Sequence, residues 1–315
     1  MPGKIVLVGE PMGLFIAKEE GELSEVKNFS ASIAGAEYNV AVGLTRLGHE
    51  VSYCTKLGND PMADRILGGM KENHISTDLI LRDDEKLTGF MMKGKTAVGD
   101  PKIAYFRKGS AASCISTHDI DKLDLCECEF LHVTGVFPAV SPSACNAVKR
   151  LIKRCKDLDM IISFDPNLRP QLWPGEQEMI RTLNSFAESA DTVLPGIAEG
   201  KILTGRDTPE GIAEFYHKKG VTNVVVKLGS SGAFYSGPNG SGTVPGFKVN
   251  KVVDTVGAGD GFAAGVVSAL AEGLSLKDAV KRGTVIGAIQ VTNVGDNEGL
   301  PTREELEAIM EKGEC

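Results

Sequence analysis

Asp254-Thr255-Val256-Gly257-Ala258-Gly259-Asp260-Gly261, followed by the apolar run Phe262 to Leu270, reads as a glycine-rich turn that delivers a carboxylate to the mouth of a helix. The first backbone N–H groups of a helix lack intrahelical partners, and the aligned peptide dipoles make that end positive, so such a mouth suits an anion and phosphate above all. Gly257, Ala258 and Gly259 are small enough for their amides to close around a phosphoryl group as an anion hole. A carboxylate beside a polyanion is electrostatically costly unless it has a task. For Asp260 that task is to take the proton of a hydroxyl attacking phosphorus. Asp is also a good N-cap, so these residues by themselves leave a capping role open beside the catalytic one. A dinucleotide fingerprint does not fit, because the third glycine of G-x-G-x-x-G falls on Phe262.

Upstream of this stretch, strand-like apolar runs alternate with helical patterns: Ile5 to Val8, Ala36 to Leu47, Val51 to Lys56 and Pro61 to Glu72. The rhythm resumes with Phe130 to Thr134, Pro142 to Leu158, Ile161 to Asp165, Glu176 to Ser189, Thr192 to Leu194 and Val224 to Lys227. After Asp254 the chain is helical over Phe262 to Glu272, Leu276 to Gln290 and Arg303 to Lys312. The alternation predicts an α/β fold, a doubly wound and mostly parallel sheet with helices on both faces, whose ligands gather at the carboxyl ends of the strands. Gly13 to Ser32 and Leu87 to Arg107 break the rhythm, and Phe90 to Met92 can pair with Ile103 to Phe106 as a hairpin. The expected division is therefore an α/β domain of residues 1–12, 33–86 and 108–315, with residues 13–32 and 87–107 as a small β lid over the cleft. Edge strands in such a lid invite pairing between copies of the chain, a homo-oligomer.

The chain has 315 residues, a formal net charge of -8 and a pI near 5.3, a balance that argues against nucleic acid or an anionic membrane surface as main partner. No apolar run reaches transmembrane length, and Met1-Pro2-Gly3-Lys4 leads straight into a strand, so no signal peptide is expected and the cytoplasm is the default location. The seven cysteines (Cys54, Cys114, Cys126, Cys128, Cys145, Cys155 and Cys315) form no C-x-x-C pair, and the five histidines show no H-x-x-x-H spacing. A metal held by protein sulfur or nitrogen is not expected. Gly89-Phe90-Met91-Met92-Lys93-Gly94-Lys95-Thr96 satisfies the P-loop expression G-x-x-x-x-G-K-[ST], but a turn at Ala97 to Pro101 follows where that motif needs a helix. Lys95 is accordingly placed on an exposed lid hairpin, away from phosphate.

Gly35-Ala36-Glu37-Tyr38-Asn39-Val40-Ala41, then Leu44 to Gly48, together with Asp254 to Asp260, resemble in order and spacing the two signatures of the ribokinase-like (PfkB) carbohydrate kinases. The resemblance spans nearly the whole chain, lid strands included. It implies transfer of the ATP γ-phosphoryl group to a sugar hydroxyl with Mg2+, and a monovalent cation is compatible with it. Asp260 would be the base, and Gly35, Ala36 and Asn39 would meet the sugar.

Within the family the chain resembles the branch acting on the acid sugar 2-keto-3-deoxygluconate. Tyr105-Phe106-Arg107 resembles a lid strand whose Tyr105 and Arg107 contact substrate. Asp165-Pro166-Asn167-Leu168-Arg169-Pro170 resembles a loop that offers Arg169 to the substrate and Asn167 to the nucleotide. Guanidinium groups suit a sugar carboxylate because their paired N–H donors match its geometry. Fructokinases carry similar D-P-N-L-R and F-x-R-x-x-S-A stretches, which leaves a neutral hexose as the alternative acceptor; a non-catalytic sensor would be expected to have lost Asp260. The resemblance further puts Lys227, Gly229, Ser230, Gly232 and Thr255 on the nucleotide, Asp296 near the substrate, and Glu199 on magnesium through water. Two departures are visible: the family's N-x-x-E element reads Gly196-Ile197-Ala198-Glu199, and a second lid aromatic is replaced by Met91.

Overall fold

The computed structural model describes residues 3–96, 101–293 and 295–313; the residues expected to turn at Ala97 to Asp100, Val294, and the terminal Met1, Pro2, Glu314 and Cys315 lie outside them. Strand β1 (Lys4–Val8) leads to two strands that leave the main sheet, β2 (Met12–Ala17) and β3 (Phe29–Ala34), before α1 (Ala36–Arg46), β4 (Val51–Gly58), α2 (Pro61–Glu72) and β5 (Ile80–Asp83). A second excursion forms β6 (Phe90–Lys93) and β7 (Ile103–Phe106). It is followed by α3 (Thr117–Asp121), β8 (Cys128–Thr134), α4 (Pro142–Asp157), β9 (Ile161–Asp165), α5 (Glu176–Ala187) and β10 (Thr192–Val193). The chain continues through α6 (Ile197–Thr204), α7 (Pro209–His217), β11 (Asn223–Lys227), β12 (Gly232–Gly237) and β13 (Gly240–Pro245), and closes with α8 (Ala258–Ala271), α9 (Leu276–Gln290) and α10 (Arg303–Lys312).

Among the described residues the main sheet has nine strands in the order β13-β12-β11-β10-β9-β8-β1-β4-β5, parallel except for the antiparallel edge made by β12 and β13. Period-two alternation builds both layers from one strand. Val224 and Val226 pack with the side of α4, α5 and α7, whereas Val225 packs with the side of α1, α8 and α9. Helix α4 shows why these segments are helical: Ser141 caps its N-terminus, Pro142 pre-sets the first turn, and Ala144, Ala147, Val148, Leu151, Ile152 and Cys155 form a buried stripe. Val148, Leu151 and Ile152 each gain about 1.5–3 kcal/mol from that burial. Helices α8 and α9 approach closely enough that a Cβ on Gly265 would lie 2.7 Å from the Cα of Gly283, which fixes α8 against the body.

After β1 the sheet grows outward through β4 and β5, and then β8 returns to the other side of β1 and growth reverses. Such a reversal opens a crevice at the carboxyl ends of β1 and β8. Strands β3, β2, β6 and β7, in that order, form a separate four-stranded sheet, the lid; Phe90 opposes Phe106 and Met91 opposes Tyr105. One lid face carries Leu14, Ile16 and Lys93 over a cleft of about 260 Å³ that Asp254 and Asp296 also line. The other face carries Phe15, Phe90 and Phe106, with the last two rings stacked at 4.6 Å. Elements β5, α3, α6, α7 and β13 add to the pattern read from sequence. Helix α7 did carry legible signals in its Thr208 cap and Pro209, but α6 has little apolar periodicity of its own.

Candidate active site

Helix α8 begins at Ala258, ahead of its apolar run, so Asp260 is its third residue and Gly257 is the N-cap. The capping role left open for Asp260 falls away, since no side chain caps this helix. Gly257 has φ 76°, and a Cβ there would lie 2.0 Å from the carbonyl oxygen of Asp296, so backbone angle and close approach both require glycine. In the first helical turn the amide of Ala258 donates to the Thr255 carbonyl at 3.4 Å, whereas those of Gly259 and Asp260 have no intrahelical acceptor and suit an outside anion.

Asp260 is half-buried. Its Oδ2 accepts a 2.8 Å hydrogen bond from Asn39 Nδ2, and its Oδ1 lies 3.5 Å from Asn167 Nδ2. Asn39 is itself held, its Oδ1 accepting from Asn297 Nδ2 at 2.9 Å. Burial pushes the Asp260 carboxyl up to about 7, against the lowering effect of the bond from Asn39. Both protonation states are then populated near neutrality, the property wanted of a general base. Asn39 reaches this position because α1 is entered through its N-cap Gly35 beside the β1–β2 connection and packs on α8, where a Cβ on Gly43 would lie 2.8 Å from that of Ala264.

At the crevice between β1 and β8, Glu37 is 2 % exposed and its Oε1 accepts a 2.5 Å hydrogen bond from the Thr134 hydroxyl. Burial holds its carboxyl above the usual range. Glu10, also 2 % exposed, pairs with Arg107: its Oε2 lies 2.6 Å from both Nε and Nη2, while its Oε1 accepts from the Ser110 hydroxyl. The sequence singled out Arg107 and missed Glu10, which carries no motif of its own. Tyr105 lies on β7 and is 49 % exposed. Asp296 is half-buried, 3.7 Å from the Lys93 ammonium of the lid, and burial raises its carboxyl pKa despite that lysine. Arg169 is exposed and donates to the carbonyl of Leu168, with no hydrogen bond or ion pair to another site residue among the described residues.

Beside α8 lies a second cleft, of about 370 Å³. Lys227, Gly229, Ser230, Gly232 and Thr255 all line it, and it opens onto Ala258 and Gly259. Its apolar wall was not legible in the sequence: Phe262 from α8, Thr284, Gly287 and Ala288 from one face of α9, and Val291 at its C-cap. Their i, i+3, i+4, i+7 spacing was the available signal, a stripe of small residues at the end of a helix. The Lys227 ammonium donates to both oxygens of buried Asp165, at 2.9 and 2.6 Å. Burial works against its charge, but Asp165 and Glu199 outweigh it and its pKa is raised. Glu199 accepts from the amide of Leu168 at 2.7 Å and from that of Gly196 at 2.6 Å, so it braces the loop that carries Asn167, whose φ is 38°. Lys95 is exposed and donates to the Lys18 carbonyl; its neighbours Phe90 to Lys93 are a strand, and Gly94 to Thr96 line the cleft under the lid. Among the described residues no group of three His, Cys, Asp or Glu side chains could hold a metal, and no helix is long and apolar enough to cross a membrane.

Residues 3–303 match the family model of the pfkB family carbohydrate kinases. The 2-dehydro-3-deoxygluconokinase of Bacillus subtilis (strain 168) is 47 % identical over 307 residues, 97 % of this chain and 94 % of the relative. Fructokinase-2 of Solanum habrochaites is 30 % identical over 99 % of this chain and 97 % of its own. Among solved structures, a putative ribokinase II from E. coli in complex with ATP and Mg2+ superposes with a TM-score of 0.87 at 25 % identity, covering 98 % of this chain and 99 % of that one.

Proposed function

The chain belongs to the pfkB family of carbohydrate kinases and is a phosphotransferase with an alcohol group as acceptor; from that premise we propose that it phosphorylates 2-keto-3-deoxygluconate (2-dehydro-3-deoxygluconate) on its 6-hydroxyl with ATP. The observation that carries the proposal is Asp260 in the first turn of α8, tuned to about 7, between the cleft at Thr255, Ala258 and Gly259 and the sugar-side Asn39. The adenine would lie against Phe262, Ala288 and Val291, with Lys227, Gly229, Ser230, Gly232 and Asn167 along ribose and phosphates. The γ-phosphoryl group would meet the amides of the Gly257 to Gly259 turn. Those amides are pre-oriented, so they stabilise developing charge without reorganisation. Asp260 takes the proton of the attacking hydroxyl, and Asn39 holds its other oxygen in place.

Gly35 and Ala36 would leave room for the sugar, with Tyr105, Arg107, Arg169 and Asp296 as its further contacts. Magnesium would travel on the phosphates with most of its waters, since no protein cage exists among the described residues. The Glu199 carboxylate keeps unused lone pairs and would reach it through water. A requirement for a monovalent cation would appear as activation by potassium over a tetraalkylammonium salt. The exposed rings of the lid's outer face and its two unpaired edges would meet a second copy of the chain. The acceptor is tested by kcat/KM for 2-keto-3-deoxygluconate, fructose, ribose and gluconate with ATP. Preference for 2-keto-3-deoxygluconate is expected; preference for fructose would make the chain a fructokinase, the second reading.

A further inference from the structure

Four chain crossings join the lid to the body, and one buried residue stands at all of them. Glu10 lies on the β1–β2 crossing. A Cβ on Gly35, at the β3–α1 crossing, would lie 3.1 Å from the Glu10 carbonyl oxygen. A Cβ on Gly89, at the crossing into β6, would lie 2.5 Å from Glu10 Oε1. On the crossing out of β7, Arg107 and Ser110 both donate to the Glu10 carboxylate, with Arg107 Nε and Nη2 each 2.6 Å from Oε2. A carboxylate 2 % exposed is costly unless it is paired, and the guanidinium charge with hydrogen bonds from Arg107 Nε and Ser110 Oγ satisfies it. The Nη1 of Arg107 has no hydrogen-bond partner among the described residues.

We propose that Glu10 is a positioning residue for substrate recognition: it clamps one edge of the Arg107 guanidinium to the lid hinge and so aims the other edge at the carboxylate of the acid sugar. The inference rests on the reading of Arg107 as a substrate contact. A guanidinium is planar and rigid, so fixing one edge fixes the direction of the other. An arginine held before the sugar arrives loses less conformational freedom on binding it. Simple electrostatics points the opposite way, because Glu10 places a negative charge near the incoming carboxylate. Removing that charge would by itself tighten binding of the acid sugar, so loss of binding on its removal separates positioning from charge.

The experiment is steady-state kinetics of the full-length enzyme with ATP and 2-keto-3-deoxygluconate for Glu10→Gln, Arg107→Ala and the double variant. Glu10→Gln is expected to raise KM for the acid sugar about tenfold, with kcat within about threefold and KM for ATP unchanged. The double variant should bind no worse than Arg107→Ala alone, because Glu10 acts through Arg107. An unchanged or lowered KM in Glu10→Gln, while Arg107→Ala raises it, overturns the positioning role and leaves the Arg107 reading standing. An unchanged KM in Arg107→Ala overturns both. Should Glu10→Gln fail to fold, Ser110→Ala carries the test in its place, since it frees only one carboxylate oxygen: a rise of about threefold in KM supports the inference and no change overturns it.

Discussion

At the scale of single residues, the raised carboxyl of Asp260 bears on stability as well as on the proposed proton transfer. Asp260→Asn keeps the shape of the side chain and can still accept from Asn39, but it cannot take a proton. We expect kcat to fall by about 10²–10⁴ with ATP affinity largely retained in calorimetry; a variant within threefold of wild type would end the base assignment. In the wild type, log kcat/KM should fall with a slope near one as pH drops below about 7, where the carboxyl protonates. The same shift has a consequence for folding with a defined sign. The folded-state pKa is raised from 3.8 to about 7, so the folded chain holds this proton more tightly and loses stability as pH rises through that window. Asp260→Asn should therefore melt higher than wild type at pH 8 and lose that advantage near pH 4, measured by thermal unfolding in the two buffers.

At the scale of elements, the chain contains two glycine-rich phosphate-loop candidates, and secondary structure separates them. Gly257 caps a helix whose first amides face a cleft, whereas Gly89 to Thr96 is half strand and offers its lysine to a backbone carbonyl. Gly257→Val should abolish phosphoryl transfer while circular dichroism stays native, because even a Cβ at that position meets the Asp296 carbonyl at 2.0 Å. Lys95→Ala should leave KM for ATP within about twofold, as expected of an exposed side chain. The opposite pattern, with ATP binding lost in Lys95→Ala and transfer intact in Gly257→Val, would move the nucleotide to the lid.

At the scale of the whole molecule, the lid presents an unusual surface. Phe106 is 50 % exposed, Tyr105 49 % and Ile103 42 %, all on β7, an edge strand with an open row of backbone donors and acceptors. Exposed apolar edges are avoided in monomers because they pair with other chains. Phe106→Glu places a charge in the stacked pair with Phe90 and should shift the sedimenting species of the wild type, expected as a dimer, toward monomer. A wild type that sediments as a monomer at micromolar concentration would remove the second copy from the proposal.

Legible along the chain were the alternation of strand and helix, the bounds of α9 and α10, the two lid excursions, and the glycine-rich turn that sets Asp260 at the mouth of a helix. Each of these is written in local periodicity or in residues that are neighbours along the chain. Tertiary structure decided the rest. Asn39 donates to Asp260 from 221 residues away, and Arg107 finds Glu10 across 97. The helix face Thr284 to Val291 becomes the wall of a cleft only because Gly265 and Gly283 let α8 and α9 touch. Glu10 was illegible for the same reason that Asp260 could be recognised but its pKa could not be anticipated. A motif fixes which group is present, whereas burial, pairing and proton affinity are sums over neighbours that only the folded chain brings together.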